Sequence, residues 1–229
     1  MSEQNLPTSK RSDVQAFIEK VRATPRREGA SRGRLMFGLD ATASRQPTWD
    51  LACDLQSQMF LEAALLGGLD VQLIYFRGFR ECRASRWVDR PADLVKMMTK
   101  VQCQAGRTQI ERVLHHAISQ AKTRGVAAMV YDGDCCEEDV DRLGHLAGEL
   151  GSLGVRAFVF QEGADAKARL AFQNIASLTK GAYCSFSAHS PGELRDLLRA
   201  VAAYAAGGVA ALENVNAKLR RPVRLLTKS

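Results

Sequence analysis

Oxygen-bearing side chains follow a short apolar segment near the start of the chain. Residues 35–39 are apolar or glycine, and Asp40, Thr42 and Ser44 come next at alternate positions. A run of this length is typical of a strand buried on both faces of a parallel sheet. In open α/β sheets, ligands bind in the loops that follow such strands. A carboxylate with two hydroxyls is the ligand chemistry of a hard divalent cation such as Mg²⁺, which keeps several of its waters.

Two later segments place polar side chains at similar points. Thr108 precedes a helical run at residues 110–122, and Asp132 ends an apolar run at residues 127–131.

The segment Asp40-Ala-Thr-Ala-Ser44 resembles the Asp-x-Ser-x-Ser signature of von Willebrand factor type A (VWA) domains. In that family the signature lies in the loop after the first strand and forms a metal-ion-dependent adhesion site (MIDAS). The family's other two pieces are a Thr in a Gly-x-Thr turn before a helix and an Asp that ends a later strand. Gly106-Arg-Thr108 and Asp132 match them in order, and the resemblance covers roughly residues 34 to 205.

The resemblance implies a ligand set and a function. A Mg²⁺, Mn²⁺ or Ca²⁺ ion would be held by Thr42, Ser44 and Thr108, with Asp40 and Asp132 supporting it directly or through water. Its open position would accept an Asp or Glu carboxylate of a partner protein. Cytoplasmic VWA proteins often serve as partners or assembly factors of ATPase machines, so the resemblance implies a non-enzymatic interaction module.

The sequence departs from the family pattern at two positions in the first motif. Thr42 stands where the family usually has Ser, which keeps the hydroxyl and adds a methyl group, and Ala43 replaces a common Gly. Neither change removes an oxygen ligand. The alternative to a metal site is that Asp40, Thr42 and Ser44 only cap the next helix through their side-chain oxygens.

Strand-like and helix-like periodicities alternate along the chain. Besides the first strand, strands are expected at 69–76, 81–88, 127–131, 155–160 and 182–186, and helices at 12–21, after Pro47, from Pro91, and at 110–122, 140–153, 170–178 and 190–204. Such alternation gives a mainly parallel sheet covered on both faces. With the resemblance, it predicts an α/β, three-layer Rossmann-like VWA fold of about six strands, in which segment 81–88 is an antiparallel edge strand.

The chain divides into three expected segments. Residues 1–33 form an extension with a short amphipathic helix and a basic link, residues 34–207 form the VWA-like domain, and residues 208–229 form a basic tail. Phe17, Ile18 and Val21 lie on one face of the short helix and are expected to pack back on the domain.

Composition limits the class of protein. The chain of 229 residues is 46% hydrophobic and 25% charged, which is ordinary for a globular protein. It contains no apolar run of the roughly 20 residues that a membrane span needs. Its first residues lack the charged segment followed by an apolar segment that is typical of a secretory signal. Its six cysteines include no Cys-x-x-Cys pair. We therefore expect a cytoplasmic, reduced protein without a membrane partner or a zinc site.

Two other functions remain open at the level of sequence. The net charge is +7 and basic residues crowd both termini, which permits binding to RNA or DNA. A Mg²⁺-dependent phosphohydrolase of the haloacid dehalogenase type would use Asp40 as its nucleophile, but Thr42 occupies the place of the second Asp that such enzymes need.

Overall fold

The sheet has six strands in the order β3-β2-β1-β4-β5-β6. The computed structural model describes residues 11–24, 33–46, 49, 69–186 and 191–207. The strands are β1 (Gly33–Asp40), β2 (Leu69–Arg77), β3 (Glu81–Ala84), β4 (Ala128–Gly133), β5 (Arg156–Glu162) and β6 (Ala182–Phe186). All neighbouring pairs are parallel except β2 and β3. This confirms the predicted mainly parallel sheet with one antiparallel edge strand. That strand was predicted to reach residue 88 but ends at Ala84, and Val88 forms only an isolated antiparallel bridge with Val71.

Six helices lie in the described part of the chain. They are α1 (Arg11–Ala23), α2 (Pro91–Met98), α3 (Ile110–Arg124), α4 (Val140–Ser152), α5 (Ala166–Leu178) and α6 (Pro191–Gly207), and a short 3₁₀ turn spans Ala43–Arg45. The helix expected after Pro47 and the basic tail 208–229 fall outside the described residues. None of the described helices is long and apolar enough to cross a membrane.

Helices cover both faces of the sheet and create two cores. Strand β1 alternates between them: Leu35, Phe37 and Leu39 join the core that contains α1, α2 and α6, and Met36 joins the core that contains α3, α4 and α5. A strand buried on both faces reads as a continuous apolar run, which is how β1 is visible in the sequence. The three-layer α/β prediction is confirmed.

Helix α1 belongs to the first of these cores. Phe17 is 3% exposed, and its ring lies 6.1 Å from that of Phe158 and 5.3 Å from that of Phe160 on β5. Val21 is fully buried. Ile18 is partly buried and packs against the same core. The prediction that Phe17, Ile18 and Val21 pack back on the domain is confirmed.

One predicted helix boundary is wrong. Helix α5 begins at Ala166, four residues before the first apolar residue of the expected segment 170–178. Asp165 accepts a hydrogen bond from the backbone N–H of Ala168 at 2.5 Å and starts the helix there. The first turn, residues 166–169, contains no large apolar side chain and only Ala168 in it is buried, so hydrophobic periodicity did not mark it.

Strand β1 occupies the switch point of the sheet. It pairs with β2 on one side and with β4 on the other. The chain runs outward from β1 through β2 to β3, then crosses back to β4 and runs outward on the other side. The crevice at the carboxyl end of such a strand is the usual ligand-binding place of an open α/β sheet. Asp40 is the last residue of β1 and therefore lies at this crevice.

Candidate metal centre

Asp40 is held at the carboxyl end of β1 by the backbone around it. Its side chain is fully buried, and its Oδ1 atom accepts a hydrogen bond from the backbone N–H of Thr42 at 2.8 Å. Ala41 fixes the turn because its N–H donates to the carbonyl of Phe76 at 2.9 Å, and its carbonyl accepts from Gln104 at 3.0 Å. The turn after β1, the end of β2 and the loop that contains Gln104 thus meet beside Asp40.

The two hydroxyls that follow Asp40 lie side by side. Thr42 Oγ1 and Ser44 Oγ are 3.1 Å apart, and Thr42 is 8% exposed whereas Ser44 is exposed. Thr42 precedes the 3₁₀ turn at residues 43–45, but its side chain makes no capping hydrogen bond to that turn. Thr42 therefore does not cap this turn, and capping of the helix expected after Pro47 concerns residues outside the described part of the chain.

Thr108 is tied to the loop that follows β4. Its backbone N–H donates to the Glu137 carboxylate at 2.9 Å, and its hydroxyl oxygen accepts from the Glu137 N–H at 3.0 Å. The loop before it approaches the β2–β3 turn so closely that a Cβ on Gly106 would lie 1.9 Å from the Gly78 carbonyl oxygen. A hydroxyl that accepts one hydrogen bond keeps a lone pair and a proton for a further partner.

The acidic residues after Asp134 cap two different helices. Glu137, Glu138 and Asp139 directly precede α4 in the chain, and acidic residues at such positions favour the start of the helix that follows. Asp139 does so, because it accepts from Arg142 at the start of α4 at 2.8 Å. Glu138 instead accepts from the backbone N–H groups of Ile110 at 2.9 Å and of Glu111 at 2.7 Å, at the start of α3. The loop therefore binds the start of α3 to the end of β4.

Asp132 forms a buried ion pair. It is 2% exposed, and its Oδ2 atom accepts from Nη2 of Arg45 at 2.7 Å. The other terminal nitrogen of Arg45 donates to the carboxylate of Glu162 at the end of β5. The Arg45 side chain is itself 2% exposed, so one guanidinium joins the turn after β1 to the ends of β4 and β5.

Burial dominates the electrostatics of the two buried carboxylates. Burial raises the pKa of Asp40 to about 7, and the negative charge of Asp134 adds to this increase. The hydrogen bonds from Thr42 and the positive charge of Arg45 oppose it. Burial also raises the pKa of Asp132, where Arg45 opposes the shift and Asp134 again adds to it. Asp134 is thus close enough to act on both carboxyl groups.

Several carboxylate oxygens here lack a hydrogen-bond partner within the described structure. These are Asp40 Oδ2, Asp132 Oδ1 and Asp134 Oδ1, all of them buried atoms. A buried oxygen without a partner is costly and is commonly explained by an ion or a water. The described residues contain no cluster of three or more His, Cys, Asp or Glu side chains able to hold a metal. The oxygen donors present here are the carboxylates of Asp40 and Asp132 and the neighbouring hydroxyls of Thr42 and Ser44.

The described structure connects all five predicted ligand positions through neighbouring loops, and their role as metal ligands stays a prediction. Asp40, Thr42 and Ser44 share one turn, and Asp132 connects to that turn through Arg45. Thr108 lies on the loop whose Gln104 bonds to Ala41. Sequence reasoning missed Arg45 and Glu162. The signal available for Arg45 was its position directly after the motif that follows the buried strand β1.

Comparisons with known proteins identify the fold. No protein-family model and no curated protein sequence matches the chain. Solved structures do: a von Willebrand factor type A protein from Catenulispora acidiphila aligns with TM-score 0.61 and 15% identity over 76% of this chain and 43% of its own. The VWA domain of SpRpn10 aligns with TM-score 0.59 and 14% identity over 73% of this chain and 94% of its own.

A third similar structure carries a metal. The proximal thread matrix protein 1 of the mussel byssus, described with a zinc-occupied MIDAS motif, aligns with TM-score 0.57 and 18% identity over 76% of this chain and 46% of its own. The chain thus spans less than half of two of these three proteins. At these identities the likeness shows the fold, which is that of a VWA domain.

Proposed function

We propose that this VWA-type domain is a metal-dependent protein-interaction module. It binds a Mg²⁺ ion, or Mn²⁺ or Ca²⁺ in its place, at the carboxyl end of β1, and through that ion an Asp or Glu carboxylate of a partner protein. The observation that carries the proposal is the buried Asp40, whose Oδ2 atom has no hydrogen-bond partner in the described structure, next to the paired hydroxyls of Thr42 and Ser44.

The proposed ligands follow from the donor atoms available. Thr42, Ser44 and Thr108 offer hydroxyl oxygens, and Asp40 and Asp132 hold or orient bound water through their carboxylates. Hydroxyl ligands leave the ion with most of its positive charge, so a further anionic ligand is favourable. That ligand is the carboxylate of the partner, and Lewis acidity toward this carboxylate is the chemistry that the ion supplies.

The similar structures support a divalent cation in this fold. The mussel protein has the same fold and is described with zinc at its MIDAS motif. This chain offers hydroxyls and carboxylates but no grouped cysteine or histidine ligands among its described residues. Such oxygen donors favour Mg²⁺, Mn²⁺ or Ca²⁺ over zinc.

The surface around the site suits a protein partner. Phe79 is 73% exposed on the β2–β3 turn, which packs against the loop that carries Gly106 and Thr108. Arg80 and Arg107 are exposed on the same two segments. An aromatic side chain with flanking arginines is the composition enriched at binding hot spots and complements an acidic partner.

Calorimetric titration with Mn²⁺ tests the metal site. Wild type and Ser44→Ala are compared in chloride and in acetate at equal ionic strength. We expect Ser44→Ala to weaken binding at least about tenfold, as the loss of a metal ligand or of its support does. Ser152→Ala is the matched control, because Ser152 is an exposed serine at the end of α4 whose hydroxyl donates to the Glu149 carbonyl of its own helix. Absence of Mn²⁺ binding by wild type in both salts would overturn the proposal.

A pull-down with and without chelator tests the interaction. Partners retained in Mg²⁺ and released by chelator are then mutated at single Asp and Glu residues, and one such substitution is expected to abolish binding. The competing functions have their own readouts. Turnover of an aryl phosphate in Mg²⁺ would indicate a phosphohydrolase. Salt-sensitive RNA or DNA binding would indicate a role for the basic termini, of which residues 1–10, 25–32 and 208–229 lie outside the described part of the chain.

A further inference from the structure

Arg45 places a permanent positive charge inside the candidate metal centre. Its side chain is 2% exposed, and no solvent competes for its guanidinium. It follows Ser44, one of the proposed ligands, directly in the chain and bonds to Asp132, another of them, at 2.7 Å. An arginine stays charged under all ordinary conditions, so this charge belongs to the site whether or not a metal is bound.

Arg45 contacts the ends of two strands. One terminal nitrogen pairs with Asp132 at the end of β4 and the other with Glu162 at the end of β5. A buried arginine is tolerated only when it is paired, and these two carboxylates provide the pairing. In turn, the guanidinium holds the Asp132 Oδ2 atom, so only the Oδ1 atom of that carboxylate remains for a metal or a metal-bound water.

We propose that Arg45 is an internal cation that weakens the binding of a metal on its own and makes metal retention depend on an anionic partner. This inference rests on the proposed function. Like charges repel strongly at short range in a medium of low dielectric constant. The charge of Arg45 offsets part of the negative charge of the carboxylates in the site, so the site attracts a divalent ion less strongly. The carboxylate of a partner adds negative charge to the site and strengthens this attraction. Metal and partner bind together more tightly than either binds alone.

The alternative is that Arg45 only fixes β4 and β5 to the turn after β1. Both roles predict that its loss destabilises the fold, so stability alone does not separate them. Metal affinity does. If Arg45 is merely structural, its removal leaves the affinity for Mn²⁺ unchanged or lowers it. If Arg45 is an internal cation, its removal increases the affinity for Mn²⁺.

The test is Mn²⁺ titration of wild type, Arg45→Gln and Arg45→Lys, followed by electron paramagnetic resonance of the free ion. We expect Arg45→Gln to bind Mn²⁺ at least about tenfold more tightly than wild type, because a repelling unit charge has gone. Arg45→Lys keeps the charge and is expected to bind as wild type does. Acetate is expected to increase the affinity of wild type more than that of Arg45→Gln. Arg90→Gln is the control, since the Arg90 side chain is 74% exposed and pairs with Asp93 at the start of α2.

A second variant guards against a failure to fold. Glu162→Gln removes one negative charge while Arg45 keeps its pairing with Asp132. The site becomes more positive, so Mn²⁺ affinity is expected to fall, whereas a purely structural Glu162 predicts no change. Equal affinities in wild type, Arg45→Gln and Glu162→Gln would overturn the role of Arg45 and leave the metal site in place. Absence of Mn²⁺ binding in every variant, with acetate present, would overturn the proposed function itself.

Discussion

Asp40→Asn tests how much the buried carboxylate of Asp40 lowers the free energy of unfolding, because asparagine has nearly the same size and shape. Asparagine keeps an oxygen that can accept the hydrogen bond from the Thr42 N–H, which is 2.8 Å from Asp40 Oδ1. It removes the buried charge. Because the pKa of Asp40 is about 7 in the folded chain and 3.8 in its unperturbed state, the folded protein holds a proton that the unfolded chain releases. Stability from this group is therefore complete below pH 3.8 and is lost as the pH rises through about 7.

The size of the effect follows from the same two values. One pKa unit corresponds to about 1.4 kcal/mol, so the loss between pH 5 and pH 8 is about 2 to 3 kcal/mol. We expect the free energy of unfolding of wild type, measured by urea denaturation in chelator, to fall by this amount relative to Asp40→Asn over that range. Subtracting the variant removes the contribution of Asp132, whose pKa is also raised.

Metal adds a second readout to the same comparison. A cation that binds the ionised Asp40 site stabilises the folded state by mass action. Excess Mg²⁺ with acetate is therefore expected to restore the stability of wild type at pH 8 and to leave Asp40→Asn unchanged. A pH profile of wild type parallel to that of Asp40→Asn would refute the reasoning, because Asp40 would then titrate alike in the folded and unfolded chains.

Two further substitutions test the loops that position the site. Gly106→Ala is expected to lower the free energy of unfolding by about 1 to 3 kcal/mol in urea denaturation, because its Cβ would lie 1.9 Å from the Gly78 carbonyl oxygen; stability equal to wild type would mean that the two loops are not in contact. Glu138→Ala removes the acceptor for two backbone N–H groups at the start of α3. We expect a loss of about 1 to 2 kcal/mol and faster amide exchange in the first turn of α3, and protection equal to wild type there would contradict this capping role.

The fold was predictable because its signals are local. Strand β1 is buried on both faces and appears as an unbroken apolar run, and the turn after it carries polar residues at alternate positions. The same logic located Thr108 before α3 and Asp132 at the end of β4. Periodicity and turn residues act over a few positions, so one sequence contains enough information to recover them.

The charge arrangement of the site was not predictable from the same signals. Arg45 pairs with Glu162, which is 117 positions away and reaches it only because β5 lies beside β4 in the folded sheet. Glu138 caps a helix that begins 28 positions earlier rather than the one that follows it. A charged residue in a sequence usually indicates a solvated surface, so the burial of Arg45 depends on tertiary contacts that no local pattern contains.

The most direct test of the metal site is a crystal structure of the protein grown with Mn²⁺ and acetate, with diffraction recorded at a wavelength where manganese scatters anomalously. We expect an anomalous peak next to the hydroxyls of Thr42, Ser44 and Thr108, with an acetate oxygen in its coordination sphere. Arg45 is expected to remain paired with Asp132 and Glu162 beside it. A map without a peak at these hydroxyls, or with manganese only elsewhere on the protein, would contradict the proposed metal-dependent function.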